Sequence, residues 1–264
     1  MQLVDINSDM GENFGAYSVG EDTALLPWIT SASLACGFHA GDPRTMLAAV
    51  TAAAEAGVAV GAHPGFPDLV GFGRRSMLLS EHEAYTDTLY QLGALEGVAR
   101  AAGVALQHVK PHGQLNNLAV KDATLARAIV RAVRDFEPSL VLIAYGGELM
   151  RMGEDMGLVV AHEVYADRAY LPDGSLQPRS EPGSVIRDPD LVARRAVAMV
   201  KTGTVVATTG EEIRLRADTI CIHGDTPGAG ALARVLREAL EASGIAVRPI
   251  RDVLRASTES VRPE

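Results

Sequence analysis

Cysteine is scarce in this chain: Cys36 and Cys221 are the only two, and they form no C-x-x-C pair. No disulfide framework is available, and a reducing compartment is expected. Basic charge is short as well, with 24 Lys and Arg against 33 Asp and Glu and a formal net charge of -9. That balance argues against nucleic acid or an anionic membrane as a partner, since both need a basic face. Long apolar runs are missing: the best candidate, Met46 to Ala62, is alanine-rich and broken by Glu55 and Gly57, so no bilayer span is expected. The start, MQLVDINSDM, carries neither the basic nor the apolar stretch of a secretion signal, and a cytoplasmic location is expected. There is no G-x-x-x-x-G-K-[ST] loop, no G-x-S-x-G elbow and no G-x-G-x-x-G after the first strand. GDTPGAGA, ahead of a helix, is at most a weak anion seat.

Linkers, composition shifts and fixed-period repeats are also lacking, so residues 1–254 read as a single domain followed by a frayed tail at 255–264. The hydrophobic fraction of 47% is ample for one large core. Strand-like and helix-like patterns alternate throughout, as in an α/β chain with a mostly parallel sheet. Strands are expected near Leu3–Asn7, Ser33–Cys36, Val58–Ala62, Leu106–Lys110, Leu140–Ala144, Val159–Tyr165 and Thr219–Ile222, with an eighth near Ile245–Arg248. Seven or eight is a barrel's number. Between them, Leu125, Ile129, Val133 and Phe136 make one apolar helical stripe; Ser80 and Glu83 form a capping box; and Asp188-Pro189 starts another helix. The proline-bearing stretch from Asp167 to Asp188 reads as a long loop, and Thr204 to Arg216 as a small hairpin.

Side chains alternate faces along a strand, which predicts what lines the interior. Asp5, Asn7 and Asp9 oppose Val4 and Ile6; His63 opposes Ala62; His108, Lys110 and His112 oppose Val109; Cys221 and His223 oppose Ile220 and Ile222. His39, just past the second strand, falls on the inward side too. Any one histidine is readily a core residue bonded to backbone. Four strands each delivering one beside Gly or Pro, in FHAG, AHPG, KPHG and IHGD, point instead to a site at the strands' C-terminal ends. His82 and His162 read as structural. Asp5, Asp9 and Glu12 lie near this ring, with Asp42, Asp68, Asp167 and Asp225 in the loops that follow. An Asp/His group of this kind binds a divalent metal, with Asp9, His39 and His63 as candidate ligands, or transfers protons without one. Spacing does not choose, because no helical H-x-x-x-H or H-E-x-x-H pair is present; the metal-free reading is preferred slightly. Lys110, one of three lysines, is costly to bury unless it meets a carboxylate, from Asp5, Asp9 or an anionic substrate. Arg74, Arg75 and Arg168 are candidates for clamping a carboxylate or phosphate.

At these residues the chain resembles the LamB/YcsF family, the A subunits of prokaryotic 5-oxoprolinase. The matching segments are DINSDMGE (Asp5 to Glu12), ACGFHAGDP (Ala35 to Pro43), GAHPGFPDLVGFGRR (Gly61 to Arg75), VKPHGQLNN (Val109 to Asn117), EVYADRAYLPDGSLQPR (Glu163 to Arg179) and DTICIHGD (Asp218 to Asp225). Gln114 and Asn116 depart from the family's usual KPHGALYN. The resemblance implies an irregular, TIM-like (β/α) barrel of the glycoside hydrolase/deacetylase type. It implies opening of 5-oxo-L-proline to L-glutamate coupled to ATP hydrolysis, with Mg accompanying ATP and two partner subunits, B and C, supplying or sharing the nucleotide site. Catalysis is then expected from Asp5 or Asp9 as base towards water. His39, His63 or His112 would protonate nitrogen or stabilise the oxyanion, and Lys110 would hold a substrate carboxylate or phosphoryl group. Asn7, Glu12, Arg74, Asp167, Arg168 and His223 are expected to bind substrate. Two other classes remain open: a free-standing metal-dependent deacetylase or hydrolase of a sugar or amide, which metal content would reveal, and a non-catalytic substrate-binding subunit.

Overall fold

Strand β1 (Leu3–Met10) is the seam on which the fold closes. One edge pairs in parallel with β9 (Thr219–His223), Asp5 to Asp9 lying against Thr219 to His223. The other edge is shared: its upper half, Asn7 to Met10, pairs with β2 (Ser31–Ala35), and Leu3 and Val4 below pair with β10 (Ala246–Val247). From β2 the sheet continues through β3 (Ala59–His63), β4 (His108–Val109), β5 (Val141–Ala144) and β6 (Val159–Val164) to β9, all parallel. The result is a seven-stranded parallel barrel, and the expected eighth strand is a two-residue stub filling the stagger below β2. The computed structural model that shows this describes residues 2–20, 22–224 and 228–259.

Helices cover the outside: α1 (Asp22–Leu25), α2 (Pro43–Glu55), α3 (Glu81–Ala101), α4 (Gly113–Ala119), α5 (Ala123–Phe136), α6 (Gly147–Asp155), α7 (Pro189–Thr202) and α8 (Ala229–Ala242). Their ends fall where side chains can satisfy the free N–H groups of the first turn. Ser80 and Glu83 form the expected capping box on α3, Asp188 caps α7 ahead of Pro189, and Asp42 and Asp122 cap α2 and α5. Outward-facing Val4, Ile6, Leu34, Val60, Ala62 and Val109 pack under these helices in one continuous core with Leu125, Ile129 and Val133. The hairpin β7 (Thr204–Val206) with β8 (Glu212–Arg214) is antiparallel and forms a separate two-stranded sheet whose Val205 joins the same core.

The bottom of the barrel is closed by α9 (Ile250–Glu259). Ile250, Val253 and Leu254 pack against the inward-facing Val141, Ile143 and Ala161, with Leu3 beside them. The tail expected to fray after Arg255 is therefore helical to Glu259, because these apolar residues form a stripe that plugs the barrel; residues 260–264 lie outside the described residues. Asp225 and the Thr226-Pro227 part of GDTPGAGA also lie outside them. With the N-terminal end plugged, Asp9 and His223 of the polar interior are partly exposed at the strands' C-terminal ends.

Candidate functional site

Strand parity sorts the interior into layers, each about two residues (~6.6 Å) above the last. In the lowest, the Asp5 carboxylate is fully buried and accepts bonds from the hydroxyls of Thr30 (2.7 Å), Ser31 (2.7 Å) and Thr219 (2.5 Å). Burial pushes its pKa up to about 6 despite those three bonds. Beside it His108, also fully buried, contacts the Ser33 hydroxyl at 3.2 Å and fits only because Gly61 has no Cβ, which would lie 2.2 Å from the imidazole.

The middle layer is organised by Lys110. Its Nζ lies 2.7 Å from Glu163 Oε1 and 2.8 Å from Asp9 Oδ1, and donates to Asn7 Oδ1 (2.9 Å) and Cys221 Sγ (3.1 Å). Burial would lower the ammonium's pKa, but Asp9 and Glu163 outweigh it and hold it well above its ordinary value. Four protein acceptors surround the ammonium, so in this structure Lys110 holds Asp9 and Glu163 in place. Asn7 is spent in the same way, its amide donating to Glu163 Oε1 and Thr219 Oγ1. Glu163 is the residue sequence reasoning passed over. It shares inward parity with Ala161 on β6, and its second oxygen accepts from the Tyr165 hydroxyl.

At the top, Asp9 leans from Lys110 towards His63, with Oδ2 3.4 Å from Nε2, and its side chain is 13% exposed at the mouth. Burial alone would raise the Asp9 carboxyl; His63 and Lys110 together hold it well below the usual range. Burial would likewise lower His63, but Asp9 raises it. His63 Nδ1 sits 2.6 Å from the Lys110 carbonyl and His112 Nε2 sits 2.8 Å from the Phe72 carbonyl. A carbonyl only accepts, so both of these nitrogens carry hydrogen. The remaining nitrogens, His63 Nε2 and His112 Nδ1, then face each other at 3.0 Å. Glu12 Oε1 joins them at 3.3 Å from His112 Nδ1 and 3.9 Å from His63 Nε2, and lies 3.2 Å from His39 Nε2. His39 is stacked flat on His112, centroids 3.8 Å apart, and burial lowers its pKa to about 3. Glu12, expected on the substrate, is thus at the centre of the histidines.

Two glycines make this cluster possible. A Cβ on Gly73, at φ +64°, would meet His112 Cδ2 at 2.7 Å, and one on Gly65 would meet His39 Nδ1 at 2.5 Å. Phe72 takes the left-handed conformation at φ 54°, which costs a side-chain-bearing residue ~1–3 kcal/mol. Its carbonyl orients His112, and its ring stands edge-on to both His39 and His112.

Across the mouth, His223 stacks on Tyr165 and its Nδ1 lies 3.3 Å from Asp167 Oδ2, leaving the buried Asp167 Oδ1 without a hydrogen bond. Arg74 is exposed, its guanidinium 5.0 Å above the Phe72 ring. Arg168 departs from expectation: buried, it spends Nε and Nη2 on the carbonyls of Ser184 and Gln177 and so staples the 167–188 loop from inside. Arg75 is taken by Asp68.

Residues 4–255 match the LamB/YcsF family model. The chain belongs to the LamB/YcsF family. Among its relatives is a protein of Thermococcus onnurineus named as the A subunit of 5-oxoprolinase, 54% identical over 93% of this chain and 97% of that one. The lactam utilization protein of Thermus thermophilus is a solved structure with TM-score 0.90 and 52% identity, covering 94% of this chain and 99% of its own. A candidate cellobiose-phosphate cleavage protein of Enterococcus faecalis superposes with TM-score 0.58 at 14% identity, over 96% and 98% of the two chains, a likeness of fold alone. The LamB/YcsF chain thus carries its polar ring in an irregular, TIM-like parallel barrel.

Proposed function

We propose that this chain is the lactam-opening subunit of a cytoplasmic, ATP-dependent 5-oxoprolinase, working with two partner subunits, B and C, and converting 5-oxo-L-proline to L-glutamate. The observation that carries this reading is Asp9, a carboxylate pinned by Lys110, reaching the mouth beside three converging lone-pair donors, in a chain more than half identical to proteins of that name. A lactam resists water because its nitrogen donates into the carbonyl. Opening it needs an activated carbonyl, a deprotonated water and a proton for the departing nitrogen. Phosphorylation of the lactam oxygen by ATP, delivered with Mg at a site the partners supply or share, provides the activation.

The water's proton goes to Asp9 Oδ2. A carboxylate held at so low a pKa is a weak base, adequate when positive charge beside it acidifies the water. A cation held by His63 Nε2, His112 Nδ1 and Glu12 Oε1 would supply that charge. Hydroxide adds to the phosphorylated carbon, and the C–N bond breaks as His223, aligned by Asp167, hands the nitrogen its proton. The acyl phosphate of glutamate so formed is then hydrolysed by a second water to glutamate and inorganic phosphate. Arg74, exposed over the Phe72 ring, would meet the substrate carboxylate. Asp5, enclosed by three hydroxyls a layer below Asn7, supports the floor.

The test is turnover of 5-oxoproline and ATP by this chain mixed with the two partners, following glutamate and phosphate. Activity is expected only in the mixture, and Asp9→Asn is expected to lower it by ~10²–10⁴. Near-wild-type turnover by Asp9→Asn would remove Asp9 from the chemistry, and full activity of the chain alone would overturn the partner requirement.

A further inference from the structure

We infer that His63 Nε2, His112 Nδ1 and Glu12 Oε1 bind a divalent transition-metal ion, with Asp9 on its open side. Each histidine has its other nitrogen tied to a backbone carbonyl, so the tautomers aim both lone pairs into the same space. The carboxylate oxygen points there as well, and three atoms with lone pairs at 3.0, 3.3 and 3.9 Å from one another repel unless a cation or a shared proton lies between them. Donor atoms bound at ~2.1 Å to a four-coordinate ion stand ~3.4 Å apart, so these spacings need only small adjustment. Formal charge points the same way: Asp9, Glu12 and Glu163 face one ammonium, Lys110, which leaves two negative charges for a dication to balance.

Ring orientation selects the ligands. His63 and His112 are nearly perpendicular, at 87°, and one point can lie in both ring planes. His39 is parallel to His112 within 2°, and no point lies in both of those planes, so His39 supports Glu12 from outside although its nitrogen is within 4.8 Å of the others. The backbone carbonyls of Lys110 and Phe72 and the imidazole of His39 are the outer partners that fix ligand direction in metal sites. Two imidazoles with carboxylates suit zinc, iron, cobalt, nickel or manganese rather than magnesium or calcium.

The test needs no turnover. The full chain, stripped with chelator, is titrated calorimetrically with Zn(II), Co(II), Ni(II) and Mn(II), and the Co(II) absorption spectrum reports coordination. One ion per chain is expected, with a rise in melting temperature that chelator reverses. Glu12→Gln is expected to weaken binding ~10–100-fold, and His39→Gln to keep the one-to-one stoichiometry at reduced affinity. Folded wild-type chain that takes up none of the four ions at 100 µM would overturn the inference. So would ¹⁵N spectra, recorded with those ions present, in which His63 and His112 share a trapped proton. Unchanged affinity in folded Glu12→Gln would overturn the ligand set. Each of these outcomes is separate from whether 5-oxoproline is the substrate.

Discussion

Replacing Lys110 by methionine removes the ammonium while keeping its bulk, and strands two carboxylates. Glu163 is fully buried and Asp9 nearly so, each within 3 Å of the lost charge. Breaking a buried pair in this way costs ~3–5 kcal/mol, a large part of the ~5–15 kcal/mol that holds a domain together. At a urea slope of ~3 kcal/mol/M the midpoint falls by about 1–1.7 M. Adding Glu163→Gln in the same molecule removes one stranded charge. It is therefore expected to restore about 2 kcal/mol in the Lys110→Met background, whereas in the wild type the same change costs about 1–3 kcal/mol by weakening a satisfied network. Urea unfolding of the four proteins at pH 7 completes the cycle. The decisive outcome is a change of sign in the effect of Glu163→Gln; the same destabilisation in both backgrounds would refute the claim that Lys110 is there to neutralise Glu163 and Asp9.

Two further outcomes follow from the layers beneath and beside that network. Asp5 has a folded pKa of about 6 against an ordinary 3.8, so between those values the native state holds the proton more tightly than the unfolded chain. Its contribution to stability therefore falls as pH rises through that window and is level above it. The loss is about 2 kcal/mol between pH 4.5 and 7, measured as the extra decline of wild type relative to Asp5→Asn; parallel pH profiles would contradict it. Gly73→Ala, with a left-handed backbone and contacts of 2.7 and 2.9 Å from the new Cβ to His112 and His39, is expected to displace His112 and abolish turnover in the reconstituted mixture. Gly93→Ala in α3, whose Cβ would meet nothing within 4 Å, is expected to gain ~0.5–1 kcal/mol with turnover unchanged. Equal activity in the two variants would remove the packing argument.

Much of this molecule was written along the chain because its determinants are local. Alternation of apolar and polar residues gave Asp5, Asn7, Asp9, His63, Lys110, His112 and His223 their common inward direction. Helix caps at Ser80 and Asp188 depend on neighbours three residues away or fewer. Family resemblance extended that reading to a substrate. The interior's division of labour was not legible in the same way, since it depends on which strands close on one another. Lys110 meets Glu163 only because β9 brings β6 round to β1, and Arg168 turns inward only because the 167–188 loop folds over it. The direction of the histidine lone pairs is set by carbonyls of Lys110 and Phe72, 47 and 40 residues from the rings they bind. Side-chain type and parity, which are properties of one strand, were fixed by sequence; partner, protonation and ligand geometry are properties of the closed barrel, and only the tertiary structure decided them.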